Sequence, residues 1–251
     1  MMPTKPFTVI VPARLPSTRL PNKPLADIAG TPMLIRVLQQ AVAANAEHVV
    51  AAVAEQTLAD AVTAAGFNAV LTGEHDSGSS RVAAAAETLA LADDHIVVNV
   101  QGDEPFIEPE LINAVAQLAA NSTAHCATAA RPLTHDDDYH NPAVVKVVSD
   151  NNNNATYFSR AAIPHQCSGG VPALARVHLG IYAYRVGALQ HFMHLPASPT
   201  EKIEQLEQLR ILWHGGSIAL LEYPSKSFGI DTAEDLARAC QHATTLAANT
   251  P

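Results

Sequence analysis

Three cations stand close together near the start of the chain. Arg14, Arg19 and Lys23 fall within ten residues, 14–23, with no acid among them. Fifteen Lys and Arg in 251 residues would place only about 0.6 in such a window at random. The segment Leu15-Pro-Ser-Thr-Arg19-Leu-Pro-Asn-Lys23-Pro24 is also rich in proline, which stiffens it. A stiff loop with two guanidinium forks and one ammonium can grip a di- or triphosphate, Arg by paired hydrogen bonds and Lys as a point charge. The plainer reading is a solvated basic loop. Two carboxylates are candidates to work with it. Asp103, in Val100-Gln-Gly-Asp103-Glu104-Pro, follows an apolar run. An acid there suits a hard divalent cation, which takes oxygen ligands, water and substrate phosphates. It equally suits a turn or a helix cap. Asp231 follows Phe228 and Ile230 and precedes a helix, so taken alone it, or Thr232, is an N-cap. A metal that bridges phosphates needs only one or two carboxylates, so the pair matters if the fold joins them.

Other polar clusters read more plainly. The run His135-Asp-Asp-Asp-Tyr-His140 has no strand or helix spacing to fix it and reads as a solvated loop. His178 opens an apolar strand and reads as a satisfied core or edge histidine. Glu207 and Gln208 fall in a helical pattern with Leu206 and Leu209 facing the core, so they read as a solvated face. Cys126 reads as packed, not reactive. No Ser/His/Asp or Cys/His arrangement offers a nucleophile. The chain has no Gly-x-x-x-x-Gly-Lys-Ser/Thr loop and no Gly-x-Gly-x-x-Gly after its first strand, which argues against a Walker-type kinase or a dehydrogenase.

The elements that must hold these residues alternate. Residues 7–11, 48–53, 67–71 and 96–100 are apolar runs of strand length. Residues 32–44, 56–65, an Ala-rich stretch reaching about 91, and 109–120 have helical periodicity. Continuous apolar strands alternating with helices predict a parallel sheet covered on both faces. Ligands then bind beyond the carboxyl ends of the strands. The cationic loop, the polar loop ending Ser77-Gly78-Ser-Ser80-Arg81 and the loop 101–104 all fall at such ends. From about residue 125 the rhythm changes to short strands, 126–131, 143–149 and 155–159, without helices between them. The Asn run after Asp150 reads as a hairpin turn, and 166–172 as a Gly/Pro/Ser loop. A strand over 178–184, helices over 186–194 and 201–213, a strand over 217–222 and a last helix complete the chain.

Bulk composition narrows the function classes. The chain is 48% hydrophobic and 16% charged, a globular composition. Its net charge of −9 argues against nucleic acid or an anionic membrane as partner, so the cationic loop reads as a local site for a small anion. Three widely spaced Cys argue against a disulfide framework. There is no 18-residue apolar run and no signal-like start, so no membrane span is expected and a cytoplasmic location is.

Taken together, the motifs resemble the 3-deoxy-manno-octulosonate cytidylyltransferase family, the CMP-Kdo synthetases of lipopolysaccharide assembly. The matching stretches are Ile10-Val-Pro-Ala-Arg14, Ser17-Thr-Arg19-Leu-Pro-Asn-Lys23-Pro, His75-Asp-Ser-Gly78, Val98-Asn-Val-Gln-Gly-Asp-Glu-Pro105 and Val144-Val-Lys-Val-Val. Tyr157-Phe-Ser-Arg160-Ala, His178-Leu-Gly-Ile-Tyr182, Ile203-Glu-Gln-Leu-Glu207-Gln-Leu-Arg210 and Gly229-Ile-Asp231-Thr continue the match in order. The resemblance implies one nucleotidyltransferase domain over 1–251, with a Rossmann-like three-layer α/β/α architecture and a mostly parallel sheet. It further implies a smaller β-rich insert at about 125–210 for sugar binding and dimerisation. The implied activity is transfer of CMP from CTP to 3-deoxy-D-manno-octulosonate (Kdo) by a homodimer. Arg14, Arg19 and Lys23, with Arg81 assisting, are expected on the triphosphate, Arg14 and Lys23 stabilising the leaving pyrophosphate. Ala13, Ser77 and Gln101 complete the nucleotide site, and Asp103 and Asp231 are expected to hold Mg²⁺. Gln101, Arg160, His178, Tyr182, Glu207 and Gln208 are expected on the sugar. The chain departs from the family pattern at Ser80, where an acid is usual, at His165, where Trp is usual, and in a shorter segment over 166–176. The alternatives are a cytidylyltransferase for a related acid sugar and a non-catalytic sugar-nucleotide-binding protein.

Overall fold

A computed structural model of the chain describes residues 5–17 and 19–248. Residues 1–4, part of the stretch read for a leader, lie outside the described residues. The chain forms two compact units. The first comprises Pro6–Leu91, Asn99–Asn113 and 226–248; the second comprises Ala92–Val98 and Ala114–Ser225.

The first unit opens with β1 (Phe7–Ala13), every residue of it buried. A single 3-10 turn at Lys23–Leu25 and a two-residue ribbon, β2 (Asp27–Ile28) with β3 (Thr31–Pro32), lead to α1 (Met33–Ala43). Then come β4 (His48–Val53), α2 (Gln56–Ala64), β5 (Asn68–Leu71) and α3 (Gly78–Thr88). β1 pairs with β4 in parallel from Thr8↔His48 to Ala13↔Val53, and β4 pairs with β5 from Val50↔Asn68 to Val53↔Leu71. Parallel strands need crossovers, and the apolar faces of α1 and α2 supply them while burying Val37, Leu38, Leu58 and Val62 completely. The ribbon was not expected from the sequence; Gly30 in the left-handed region (φ 84) closes it.

β6 (Ile96–Asn99) and α4 (Pro109–Asn121) carry the chain between the units. The second unit holds β7 (Cys126–Pro132), α5 (Asp136–His140), β8 (Lys146–Ser149), β9 (Ala155–Ser159) and β10 (Arg176–Arg185). It continues with α6 (Val186–His194), α7 (Pro199–Glu204), α8 (Leu209–Trp213) and β11 (Ile218–Glu222). β7 is antiparallel to β10 and parallel to β11, while β8 is antiparallel to both β9 and β10. The Asn turn between β8 and β9 forms as expected: the Asp150 carboxylate accepts the N–H groups of Asn152 and Asn154, each at 2.8 Å, and Asn153 is left-handed. α9 (Ala233–Ala248) returns to the first unit, packing Ala239 and Ala243 against Ile28, Met33 and Ile230.

The chain thus has the α/β fold that its alternation predicts. Three local expectations are corrected. The strands after β7 do have a helix between them, because the run read as a solvated loop forms α5; Tyr139 anchors it, 3% exposed, with its hydroxyl donating to Pro164 O at 2.5 Å. The strand expected over 178–184 is longer, Arg176–Arg185. The helix expected over 201–213 is two short helices, broken at a left-handed Gln205 (φ 53). Arg160 causes the break: its Nε takes the Glu204 carbonyl at 2.8 Å, an acceptor that a continuous helix would use itself. Among the described residues no helix is long and apolar enough to cross a membrane.

Candidate active site

In the first unit the ends of β1 and β6, the loop after β5 and the stretch before α9 line a crevice of about 440 Å³. Ala13, Arg14, Arg19, Lys23, Ser77, Arg81, Gln101, Asp103 and Asp231 all face it. The three strand-end loops and the distant Asp231 therefore do converge. Close approach is built into the backbone: a Cβ on Gly102 would stand 2.8 Å from the Pro12 carbonyl oxygen, so only glycine lets the two strand ends lie together.

Lys23 is the centre of the arrangement. Its Nζ lies 2.6 Å from Asp103 Oδ2 and 2.8 Å from Asp231 Oδ1. Arg19 Nη2 reaches the other oxygen of Asp231 at 3.2 Å. The two acids are also tied through the main chain, Ile230 N donating to Asp103 O at 3.0 Å. Burial alone would lower the Lys23 pKa, but the two carboxylates outweigh it and the net shift is upward. Asp231 is not the helix cap. That role falls to Thr232, whose hydroxyl accepts Asp235 N at 3.1 Å, and so the Asp231 carboxylate is free for the cations.

The remaining predicted nucleotide residues are placed as follows. Arg14 is exposed at the crevice. The next residue anchors that part of the loop: Leu15 N donates to both carboxylate oxygens of Glu55, each at 3.2 Å. Arg81 is 3% exposed and braces the loop after β5, Nη1 donating to Thr72 Oγ1 at 2.9 Å and Gly73 O at 2.7 Å. Burial pulls its guanidinium down; Glu55 opposes this and Arg14 adds to it. Ser77 caps α3 in a reciprocal box with Ser80: Ser77 Oγ accepts Ser80 N at 3.1 Å, and Ser80 Oγ accepts Ser77 N at 3.2 Å. Ser80 thus closes the helix cap at the position where the family pattern has an acid. The capped N-terminus of α3 also faces the crevice, a favourable position for an anion. Gln101 is held by Asn99, its Nε2 donating to Asn99 Oδ1 at 3.4 Å.

The other predicted sugar residues lie in the second unit. Phe158, His178 and Tyr182 form an aromatic row, with ring centres 5.0 and 5.4 Å apart in turn. Burial pushes the Tyr182 phenol well up, with Cys126 and then Glu207 adding to the effect. Gln208 is 7% exposed at the start of α8. The expectation of a solvated face fails at Gln208, which is buried, while Glu207 is half-buried. Arg160 is committed to the backbone: beyond Glu204 O, its Nη1 donates to Pro142 O at 3.0 Å and its Nη2 to Gln205 O at 3.5 Å. It holds the break that presents Glu207 and Gln208. Behind it the fully buried Lys146 donates to the carbonyls of Asn141, Val144 and Arg160 at 2.8, 2.6 and 2.7 Å. Cys126 is buried in β7, and burial pushes its thiol up.

The family model for cytidylyltransferases matches residues 8–220. The 3-deoxy-manno-octulosonate cytidylyltransferase of Verminephrobacter eiseniae (strain EF01-2) is 50% identical over 251 residues, covering 92% of both chains. That of Acidovorax ebreus (strain TPSY) is 49% identical, covering 93% of this chain and 95% of its own. The chain belongs to the 3-deoxy-manno-octulosonate cytidylyltransferase family. A solved structure of a CMP:2-keto-3-deoxy-manno-octonic acid synthetase complexed with CTP superposes with a TM-score of 0.90 at 33% identity, covering 96% of this chain and all of that one.

Two residues that position this family member's site were missed from the sequence. Glu55 follows β4, a strand end like the others, and that position was its signal. Lys146 gave none beyond its place in the matching stretch Val144-Val-Lys-Val-Val.

Two carboxylates that converge on one ammonium have the donor set for a metal cation completed by phosphate and water. Lys23→Met would leave them facing each other with only Arg19 in reach. We expect it to lower unfolding stability by about 1–2 kcal/mol, less than for a fully buried pair because Asp231 is half exposed. Millimolar Mg²⁺ should restore part of the loss in the variant and add little to the parent, compared by chemical denaturation with and without EDTA.

Proposed function

We propose that this chain transfers CMP from CTP to Kdo, releasing pyrophosphate, and so activates Kdo for lipopolysaccharide biosynthesis. The observation that carries the reading is the crevice in which Arg14, Arg19, Lys23 and Arg81 meet Asp103 and Asp231. Its agreement with relatives of that name supports it.

The chemistry needs no protein nucleophile. The anomeric hydroxyl of Kdo attacks the α-phosphorus of CTP, a new C–O–P linkage forms, and the bond to the β-phosphate oxygen breaks in line with it. The hydroxyl proton passes to solvent water and pyrophosphate departs. Such a transfer depends on positioning and on neutralising the developing charge. Arg14 and Lys23 stabilise the leaving pyrophosphate, Arg19 and Arg81 steady the triphosphate, and the N-terminus of α3 adds a partial positive charge. Mg²⁺ held by Asp103 and Asp231 would supply further charge neutralisation there and make the attacking hydroxyl more acidic. Ala13, Ser77 and Gln101 hold the nucleotide. The residues assigned to the sugar are Gln101 in the first unit and, in the second, His178, Tyr182, Glu207 and Gln208, with Arg160 bracing the break that carries the last two. The presence of Asp103, Asp231, Arg14 and Lys23 in one crevice speaks against a non-catalytic nucleotide-binding protein.

The proposal includes a homodimer in the cytoplasm. Leu174, Ile203 and Trp213 of the second unit are 73, 82 and 55% exposed, a cost that a second copy of the chain would relieve. The three cysteines are all free, as in a reducing compartment.

Pyrophosphate should appear when CTP, Kdo and Mg²⁺ are mixed with the protein; no release, or faster release with another sugar acid, would sink the assignment. Asp103→Asn should lower kcat at least about 100-fold while calorimetry still detects CTP binding; equal loss of both would contradict the role given to Asp103. Light scattering should give twice the chain mass of 26.5 kDa, and Ile203→Glu should shift it toward the single-chain value.

A further inference from the structure

β10 is irregular where it carries His178 and Tyr182. Its register against β7 runs to Leu179↔Ala129 and resumes at Tyr182↔Thr128, so Gly180 and Ile181 are extra on the β10 side. Four residues of regular strand would set His178 and Tyr182 roughly 13 Å apart. With two residues bulged out, Tyr182 takes the place of a second neighbour, and the two rings lie 5.4 Å apart. The bulge is therefore what makes the aromatic cluster.

One side chain holds the bulge. Thr128, fully buried on β7, has its Oγ1 2.7 Å from Ile181 O, 3.3 Å from Leu179 O and 3.0 Å from His178 Nε2. A hydroxyl has a single proton. Two carbonyl oxygens, which can only accept, claim it. The contact with His178 must then run the other way, with Nε2–H donating to the hydroxyl oxygen. Burial keeps the imidazole neutral, its pKa pushed down to about 3. In a neutral ring protonated at Nε2, Nδ1 is an acceptor.

We infer that Thr128 is a positioning residue for the sugar pocket: it pins the β10 bulge and fixes the His178 tautomer, so that Nδ1 accepts a hydrogen bond from a sugar hydroxyl. The inference rests on the reading that His178 lines that pocket. It deepens that reading by assigning the chemistry His178 recognises. A lone pair repels a carboxylate, so His178 selects a hydroxyl of the sugar acid and the carboxylate is bound elsewhere.

The test uses the full-length ¹⁵N-labelled protein and two-bond ¹H–¹⁵N spectra, with His178 assigned by its loss in His178→Asn. The parent should show Nε2 protonated and Nδ1 bare; Nδ1 protonated overturns the proposal without any Thr128 variant. Thr128→Val, of the same shape but without the hydroxyl, should lose the single tautomer. It should also raise KM for Kdo roughly tenfold with KM for CTP unchanged. Thr128→Ser should restore both. A Val variant that keeps the tautomer and KM, or a Ser variant that fails to restore them, overturns the proposal. A changed tautomer with KM for Kdo unchanged overturns it through the placement of His178, while absence of CMP transfer in the parent would be a failure of the function itself.

Discussion

The ammonium of Lys23 between Asp103 and Asp231 is the contact on which the first unit's crevice depends. Each ion pair is worth a few kcal/mol at this range before solvent screening reduces it. The pair also decides geometry. Asp103 can reach inward only because Gly102 lets its loop pass against Pro12, and Asp231 only because Thr232 takes over the helix cap. The basic loop is therefore not a free arm. It is fastened at Lys23 by the acids and at Leu15 by Glu55, with Arg14 exposed just before the first anchor.

The second unit uses the same device without a counter-ion. Where its regular ladders fail, a buried donor takes up the carbonyls left over. Lys146 collects three of them beside the end of β9 and Thr128 two in the β10 bulge, and the half-buried Arg160 takes two at the break between α7 and α8. Irregular backbone of this kind survives only where such partners exist, and here it is the irregular backbone that carries the residues assigned to the sugar.

Much of this was legible in the sequence because it is local. Apolar runs and 3.6-residue periodicity located nearly every strand and helix of the first unit, and strand-end position picked out the loops that carry Arg14, Lys23 and Asp103, while Ser77 and Gln101 were singled out within them by family resemblance. What was not legible depends on partners far along the chain. Leu206 and Leu209 keep helical spacing across a break that Arg160, 44 residues earlier, imposes. Gln208 is buried by the same event. Asp231 next to Thr232 looked equally like a cap, because nothing nearby announces Lys23. Even α5 depends on Pro164, 25 residues beyond the Tyr139 hydroxyl it receives.

The separation within the central contact has a temporal side. Lys23 and Asp231 are 208 residues apart along the chain. At ribosomal speeds of about 5–20 residues per second, roughly 10–40 s pass between the emergence of one and of the other. For the first 80 residues of that interval the nascent ammonium has neither carboxylate, and from then on it has only Asp103 of the two, while the stretch that will carry Ile230 into the core does not yet exist. The anion-gripping end of the molecule is made first and finished last. A pause or truncation late in synthesis would leave the phosphate-gripping loop of a largely built protein half fastened.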